Sequence, residues 1–347
     1  MLKFGLLGAG RRMQDTYVRI IRALGHDIIG FTTRTPATAE RFSTATGIVD
    51  AGSIDRLVAM EPDCILLCVN HAASMGLLRR ILGSGIPILV ETPIEDLSIT
   101  LEVDRCRATV GVLEQWPYLP LEQFKEMLYV QGVMKRPYLV QNDCRAFDYH
   151  AIAMLRTYMG RSARPTLAMG QRITTMLDDH DGKTGQIDSW EIGTVRFDGG
   201  QLLSHGFSYA CKSAPFRSIQ TLRAYSADGT VVTGRVDDRS NDYEIIDVEA
   251  IVDGKHRKLV VYPHMHEGEA PYSILSADSG SLEWKNPYVG LGFTDHDVAT
   301  ASHITRMESV VKNGDKVLYN IHDAVIDQDI MSAIKHACAT NKPVGFR

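Results

Sequence analysis

Cysteine is scarce in this 347-residue chain, and its six copies (Cys64, Cys68, Cys106, Cys144, Cys211 and Cys338) form no C-x-x-C pair and no metal-ligand spacing. That excludes a disulfide scaffold and reads as free thiols in a reducing cytosol, with Cys64 and Cys68 as small hydrophobes inside an apolar run. Excess charge is missing too: 37 Lys and Arg against 42 Asp and Glu leave a formal charge of -5, with no footprint for a nucleic-acid backbone. No stretch approaches the ~20 apolar residues of a membrane span, and the opening MLKFGLLGAG is too short for the apolar region of a signal peptide. The expectation is a cytoplasmic protein with neither membrane nor nucleic acid as partner. Internal repeats and low-complexity linkers are absent, and a composition that is 44% hydrophobic excludes disorder. At ~150 residues per domain, the length predicts two domains.

What is present is a change of rhythm along the chain. Residues 3–7, 27–32, 64–69 and 86–90 are apolar runs of strand length separated by helix-length segments, the pattern of a parallel sheet wound by crossover helices. Beyond about residue 120 the strand-like runs at 194–197, 201–208, 219–225 and 259–262 are joined by turns such as Asp198-Gly199-Gly200, Asp228-Gly229 and Asp253-Gly254, which predicts a mostly antiparallel sheet. Helical periodicity returns from about 298 to 340. The fold class is therefore α/β: a parallel-sheet domain over 1–120 and a second α/β domain with a mostly antiparallel sheet over 121–347.

The first strand runs into Gly8-Ala9-Gly10-Arg11-Arg12-Met13 and then a helical pattern. In a G-x-G-x-x-G phosphate fingerprint the first Gly permits the tight turn and the second admits a pyrophosphate to the backbone at the helix start. Met13 replaces the third Gly and predicts looser helix–strand packing. The end of the second strand distinguishes NAD from NADP, because an acidic residue there accepts from the ribose 2′-hydroxyl. This chain has Thr33-Arg34 and no carboxylate, which suits a 2′-phosphate, with Arg11 and Arg12 adding positive charge to the same pocket. The expected cofactor is NADP, with NAD as the other possibility.

Four further segments complete a family pattern: Cys68-Val69-Asn70-His71, Gly85-Ile86-Pro87-Ile88-Leu89-Val90-Glu91-Thr92-Pro93, Glu114-Gln115-Trp116-Pro117-Tyr118-Leu119-Pro120, and Asp148-Tyr149-His150 leading a helix to Gly160. In order and spacing the chain resembles the glucose–fructose oxidoreductase, inositol dehydrogenase and rhizopine-catabolism (Gfo/Idh/MocA) oxidoreductases over its whole length. The resemblance implies a Rossmann domain, a second domain whose open sheet makes a homodimer or higher homo-oligomer, and a small-molecule substrate in the interdomain cleft. It also implies that Val69, Asn70, His71, Glu91 and Thr92 line the nicotinamide end of the cofactor.

Sugar-oxidising members carry Lys between the Glu and Pro of E-K-P, and an Asp four residues before the helix His. Here those positions hold Thr92 and Ala146, neither of which serves as a base or orients an imidazole. Asn70 stands where the family has a proline, and Pro117 where an Arg is common. Replacement of the Lys also occurs in thiazolinyl imine reductases and biliverdin reductases, so the implied reaction is hydride addition to a C=N or an activated carbonyl. The candidates for chemistry are His150, kept neutral in a first helical turn, Tyr118 as a phenolic donor, and Asp148 beside the His. Trp116, Arg145 and Tyr149 are candidate substrate contacts. Two alternatives stand: a catalytically silent cofactor-binding regulator, and a lyase or glycosidase that uses NAD only transiently.

No metal site is expected. His264-x-His266 with Glu267 and Glu269 is half a ligand set and reads as a polar loop, as does Asp178-Asp179-His180-Asp181-Gly182. Asp295-His296-Asp297 reads as the cap of the helix containing His303. His205 lies on a strand whose facing alternation alone leaves open.

Overall fold

The computed structural model describes residues 1–177, 186–209, 221–233, 246–252, 255–264, 273–276 and 282–346. They divide into two compact units: Met1–Gln115 with His296–Gln328, and Trp116–Asp295 with Asp329–Arg347. The sequence places one seam near residue 120, whereas residues 296–328 fold with the N-terminal unit.

The first unit is built on five short strands, β1 (Lys3–Leu7), β2 (Asp27–Thr32), β3 (Cys64–Leu67), β4 (Ile88–Val90) and β5 (Val110–Val112). They form an all-parallel sheet in the order β2-β1-β3-β4-β5. Every residue of β3, β4 and β5 is buried, as an all-parallel sheet covered on both faces requires. The crossovers are a π-helical stretch Met13–Val18 running into α1 (Arg19–Ala23), then α2 (Pro36–Thr46), α3 (Ile54–Ala59), α4 (His71–Ile81) and α5 (Ile99–Cys106). Pro36 opens α2 and left-handed Gly47 closes it; the Asn70 side chain caps α4 by accepting from the Ala73 N–H at 3.1 Å.

The free edge of β5 is covered by chain from the far end of the sequence, where the Val112 N–H donates to the Tyr319 carbonyl at 2.8 Å. Helix α8 (Asp295–Asn313) adds further ties: the Gln115 amide donates to Thr300 at 2.9 Å, and His303 Nε2 lies 2.7 Å from the Glu114 carbonyl. Asp297, in the first turn of α8, pairs with Arg19 at 2.5 Å.

The second unit carries an eleven-stranded sheet. Its strands are β6 (Leu139–Asp143), β7 (Pro165–Leu177), β8 (Gln186–Phe197), β9 (Leu202–Ser208), β10 (Thr221–Tyr225), β11 (Gly229–Thr233), β12 (Ile246–Val252), β13 (Lys255–His264), β14 (Ser273–Ser276), β15 (Glu283–Lys285) and β16 (Val344–Gly345). All neighbouring pairs are antiparallel except β6 with β9, so the sheet is mostly antiparallel as its hairpin turns predict. Helices α6 (Pro120–Val130) and α7 (Asp148–Met159) precede the long hairpin, and the C-terminal half of α9 (Ile321–Thr340) packs on the sheet. Gly193 shows how closely: a Cβ there would lie 2.4 Å from Ile334. The opposite face leaves Met169, Ile173 and Ile192 between 42% and 48% exposed, on positions that share one side of β7 and β8.

Five sequence readings lie wholly or partly outside the described residues: the 178–182 acidic segment, Cys211, the first two residues of the 219–225 run, the Asp253-Gly254 turn, and His266 with Glu267 and Glu269; for His264 only the backbone, in β13, is described.

Candidate active site

The first unit brings the ends of its strands to one edge. In an open parallel sheet a ligand binds outside the carboxyl ends of the strands, where the winding reverses. Here the reversal falls between β1 and β3, because β2 lies on one side of β1 and all later strands lie on the other. Gly8 sits at that point with φ +111°, and a Cβ on it would lie 2.0 Å from the Cys68 carbonyl. No side chain fits there, so glycine is a steric requirement. A Cβ on Gly10 would meet nothing within 4 Å, so the backbone of the helix start faces open space. This is the cradle that a pyrophosphate needs, and the residues present fit a dinucleotide.

Around the cradle, Ala9 is buried and Met13 is fully buried. Met13 therefore packs at the helix–sheet contact where the fingerprint has a third glycine. Arg11 is exposed and pairs with Asp15 at 3.0 Å. Thr33 is half-buried after the end of β2, and Arg34 is exposed with no ion pair among the described residues. Val69 is half-buried and Asn70 exposed, its oxygen committed to the α4 cap. His71 is exposed, 4.0 Å from Glu95. Glu91 and Thr92 follow β4 and are half-buried.

Arg12 departs from its expected place. It is ion-paired to Glu91 and lies 5.8 Å from the centre of the Tyr17 ring, while the Tyr17 hydroxyl donates to the other Glu91 oxygen. Burial, with the Glu91 charge, holds the Tyr17 phenol well above its ordinary value and pushes the nearby Cys68 thiol up to about 12. β4 stands three strand spacings from β2, about 14 Å across the sheet. Arg12 is thus turned away from the end of β2, where the sequence reading put it, because the half-buried Glu91 carboxylate holds it beside β4.

The second unit positions His150. Cys144 and Asp148 both have left-handed φ (+55° and +47°), so the chain turns sharply into α7 and His150 falls in its first turn. The imidazole is half-buried, 4.2 Å from the Tyr149 ring and 6.4 Å from Trp116, centre to centre. These three residues converge.

Three others do not join them. The Asp148 carboxylate faces the sheet, accepting from the Tyr209 hydroxyl at 2.8 Å and from Lys335 at 2.9 Å. Tyr209 also bonds Glu191, which pairs with Arg172, so Asp148 belongs to a charged network rather than to His150. The Tyr118 hydroxyl accepts from Arg161, whose guanidinium lies 5.2 Å from the ring centre. Arg161 follows the far end of α7, nine residues and about 14 Å of helix beyond His150. Arg145 is buried against Glu122 at 2.7 Å and offers no charge to a substrate. His205 is fully buried with its Nδ1 3.1 Å from the Asn142 amide, and burial pushes its pKa down to about 4. Its structural role decides the alternation that the sequence leaves open.

The cluster around Glu122 escaped sequence reading altogether. Lys125 and Arg145 each reach Glu122 Oε1 at 2.7 Å, Tyr158 donates to Oε2, and Lys125 also donates to Thr233 at 2.7 Å. The only signal was Glu122 and Lys125 at i, i+3 on an otherwise apolar helix face.

The parallel order, the glycine cradle at the switch point and the capped helices define a dinucleotide-binding fold. Residues 2–113 match the family model described as an oxidoreductase family with an NAD-binding Rossmann fold, Gfo/Idh/MocA. By that match residues 2–113 are similar to the NAD-binding Rossmann domain of the Gfo/Idh/MocA oxidoreductases. No curated protein sequence matches it. Among solved structures it is similar to an NAD-binding oxidoreductase from Klebsiella pneumoniae, with 14% identity, TM-score 0.73, and 99% of this chain and 98% of that one covered. An oxidoreductase from Agrobacterium radiobacter in complex with NAD+, L-tartaric acid and magnesium has 14% identity, TM-score 0.70 and the same coverage. The UDP-N-acetylglucosamine 3-dehydrogenase GnnA from Acidithiobacillus ferrooxidans has 11% identity, TM-score 0.66 and 97% of each chain covered. At these identities the likeness establishes the fold.

Among the described residues no group of three His, Cys, Asp or Glu side chains is arranged to hold a metal ion, and no helix is long and apolar enough to cross a membrane.

Proposed function

We propose that the chain is an NADP(H)-dependent oxidoreductase that reduces a C=N or an activated carbonyl of a small metabolite. The observation that carries the cofactor choice is Arg34: it is exposed after β2, without an ion pair among the described residues, next to Thr33, where a 2′-hydroxyl acceptor would have to be acidic. Gly8, Gly10 and the helix start would hold the pyrophosphate, Thr33 and Arg34 the 2′-phosphate, and Val69, Asn70, Glu91 and Thr92 the nicotinamide half. Bound NADPH supplies the hydride. The chain's own part is proton supply and positioning. With Thr92 and Ala146 in place of a Lys and an Asp, the Lys- and Asp-assisted removal of an alcohol proton is missing, and hydride addition to a C=N or activated carbonyl needs less such assistance. His150 is the group left to give a proton to the substrate nitrogen or oxygen, from an imidazole flanked by Tyr149 and Trp116.

Arg34→Ala tests the cofactor choice: NADPH affinity should fall about tenfold or more, as expected for a lost charge-assisted contact, while NADH affinity stays the same. Equal loss for both nucleotides would refute the role of Arg34. A homodimer through the uncovered sheet face is part of the proposal, supported by the exposed Met169, Ile173 and Ile192. So is a cytoplasmic location. A catalytically silent regulator is the second reading, favoured by the commitment of Asp148 to Lys335 and Tyr209. NADPH binding without turnover on any imine or carbonyl substrate would select it.

A further inference from the structure

Arg12 is held in a way that gives it a use other than the phosphates. Its Nε is paired with Glu91 Oε1, and the Tyr17 hydroxyl donates to Oε2, so both oxygens of Glu91 are engaged. Tyr17 is fully buried, and the Glu91 N–H is bonded to the Leu67 carbonyl at 2.9 Å, so the anchor is fixed on both sides. A guanidinium has five N–H donors in a planar fork. With Nε spent on Glu91 and a further hydrogen bond to the Tyr17 hydroxyl, the remaining N–H donors of the fork lie on a side chain 48% exposed. The order β2-β1-β3-β4 places these donors at the far side of the crevice from Arg34. In a Rossmann half the ribose next to adenine lies at the end of β2 and the pyrophosphate at β1, so β3 and β4 are left for the reacting end.

We propose that Arg12 is a substrate-binding residue, whose remaining guanidinium donors take a carboxylate of the substrate beside the reacting end of the crevice. The inference rests on the cofactor reading above and adds the substrate class: a small oxo or imino acid. Glu91 offsets the net charge of Arg12, so the contact works through directional N–H donation. That geometry suits a planar carboxylate with two acceptor oxygens. The diphosphate has its own donors at Gly10 and the helix start, so Arg12 is not required for it.

The test titrates oxalate, a small dicarboxylate probe, into protein saturated with NADPH, followed by nucleotide fluorescence and calorimetry. Oxalate should bind the wild type, lose about 10- to 100-fold in affinity in Arg12→Gln, and lose less in Arg12→Lys, with the NADPH dissociation constant unchanged in both. Three results overturn the assignment: no oxalate binding to the wild-type complex, equal binding to Arg12→Gln, or loss of NADPH itself in Arg12→Gln, which would make Arg12 a cofactor ligand. Wild-type protein that binds neither NADPH nor NADH would overturn the cofactor reading as well, which separates the two failures.

Discussion

Replacing Glu122 by Gln removes the one anion from a buried cluster in the second unit. Lys125 and Arg145 both rest on Glu122, and none of the three side chains is more than 3% exposed. The substitution keeps the shape and leaves two buried cations without their counter-charge, a loss of about 3–5 kcal/mol. A second route gives a similar figure. Burial alone would raise the Glu122 pKa, but Lys125 and Arg145 outweigh it and hold the carboxyl at about 2 instead of 4.5. Linkage converts that depression to about 3 kcal/mol at neutral pH. Because the folded-state value is the lower one, the stabilisation is complete above about pH 4.5 and is lost as pH falls toward 2. All three tryptophans, Trp116, Trp190 and Trp284, lie in the second unit, so urea unfolding followed by tryptophan fluorescence reports on that unit. Glu122→Gln should be about 3 kcal/mol less stable at pH 7, and the gap should narrow at pH 3. A gap below about 1 kcal/mol at pH 7, or one of equal size at both pH values, would refute the assignment of the cluster as a paired buried network.

Two further outcomes are expected. Gly8→Ala forces a Cβ to within 2.0 Å of the Cys68 carbonyl at a backbone φ of +111°. It should lower the melting temperature and abolish NADPH binding, and a variant that keeps both would show that the β1 turn is not the cradle. His150→Ala should slow NADPH oxidation by about 10²- to 10⁴-fold on a substrate the wild type turns over, with nucleotide affinity unchanged. An unaltered rate would remove His150 from proton transfer.

The cofactor cradle was readable because its requirements are local. A strand, a glycine that cannot bear a side chain, a second glycine facing open space and a helix start follow one another within about a dozen residues. The antiparallel sheet was readable for the same reason, through its turns. The charge partners were not, since Glu122 meets Arg145 across 23 residues and Asp148 meets Lys335 across 187. Arg145, Asp148 and Tyr118 all looked available beside His150, and each proved to be committed elsewhere.

The amino-acid order by itself determined the period of each element, the glycine turn after β1, the Thr33-Arg34 end of β2 and the absence of a lysine at Thr92. Each of these depends on neighbours in the chain. Tertiary structure alone decided that residues 296–328 close the edge of the first sheet, that Met13 packs where a glycine is usual, and that Arg12 points toward β4. The physical reason is that a long charged side chain goes to a counter-charge that the fold brings within its reach. Which carboxylate that is depends on strand order, and strand order is not written in any one segment.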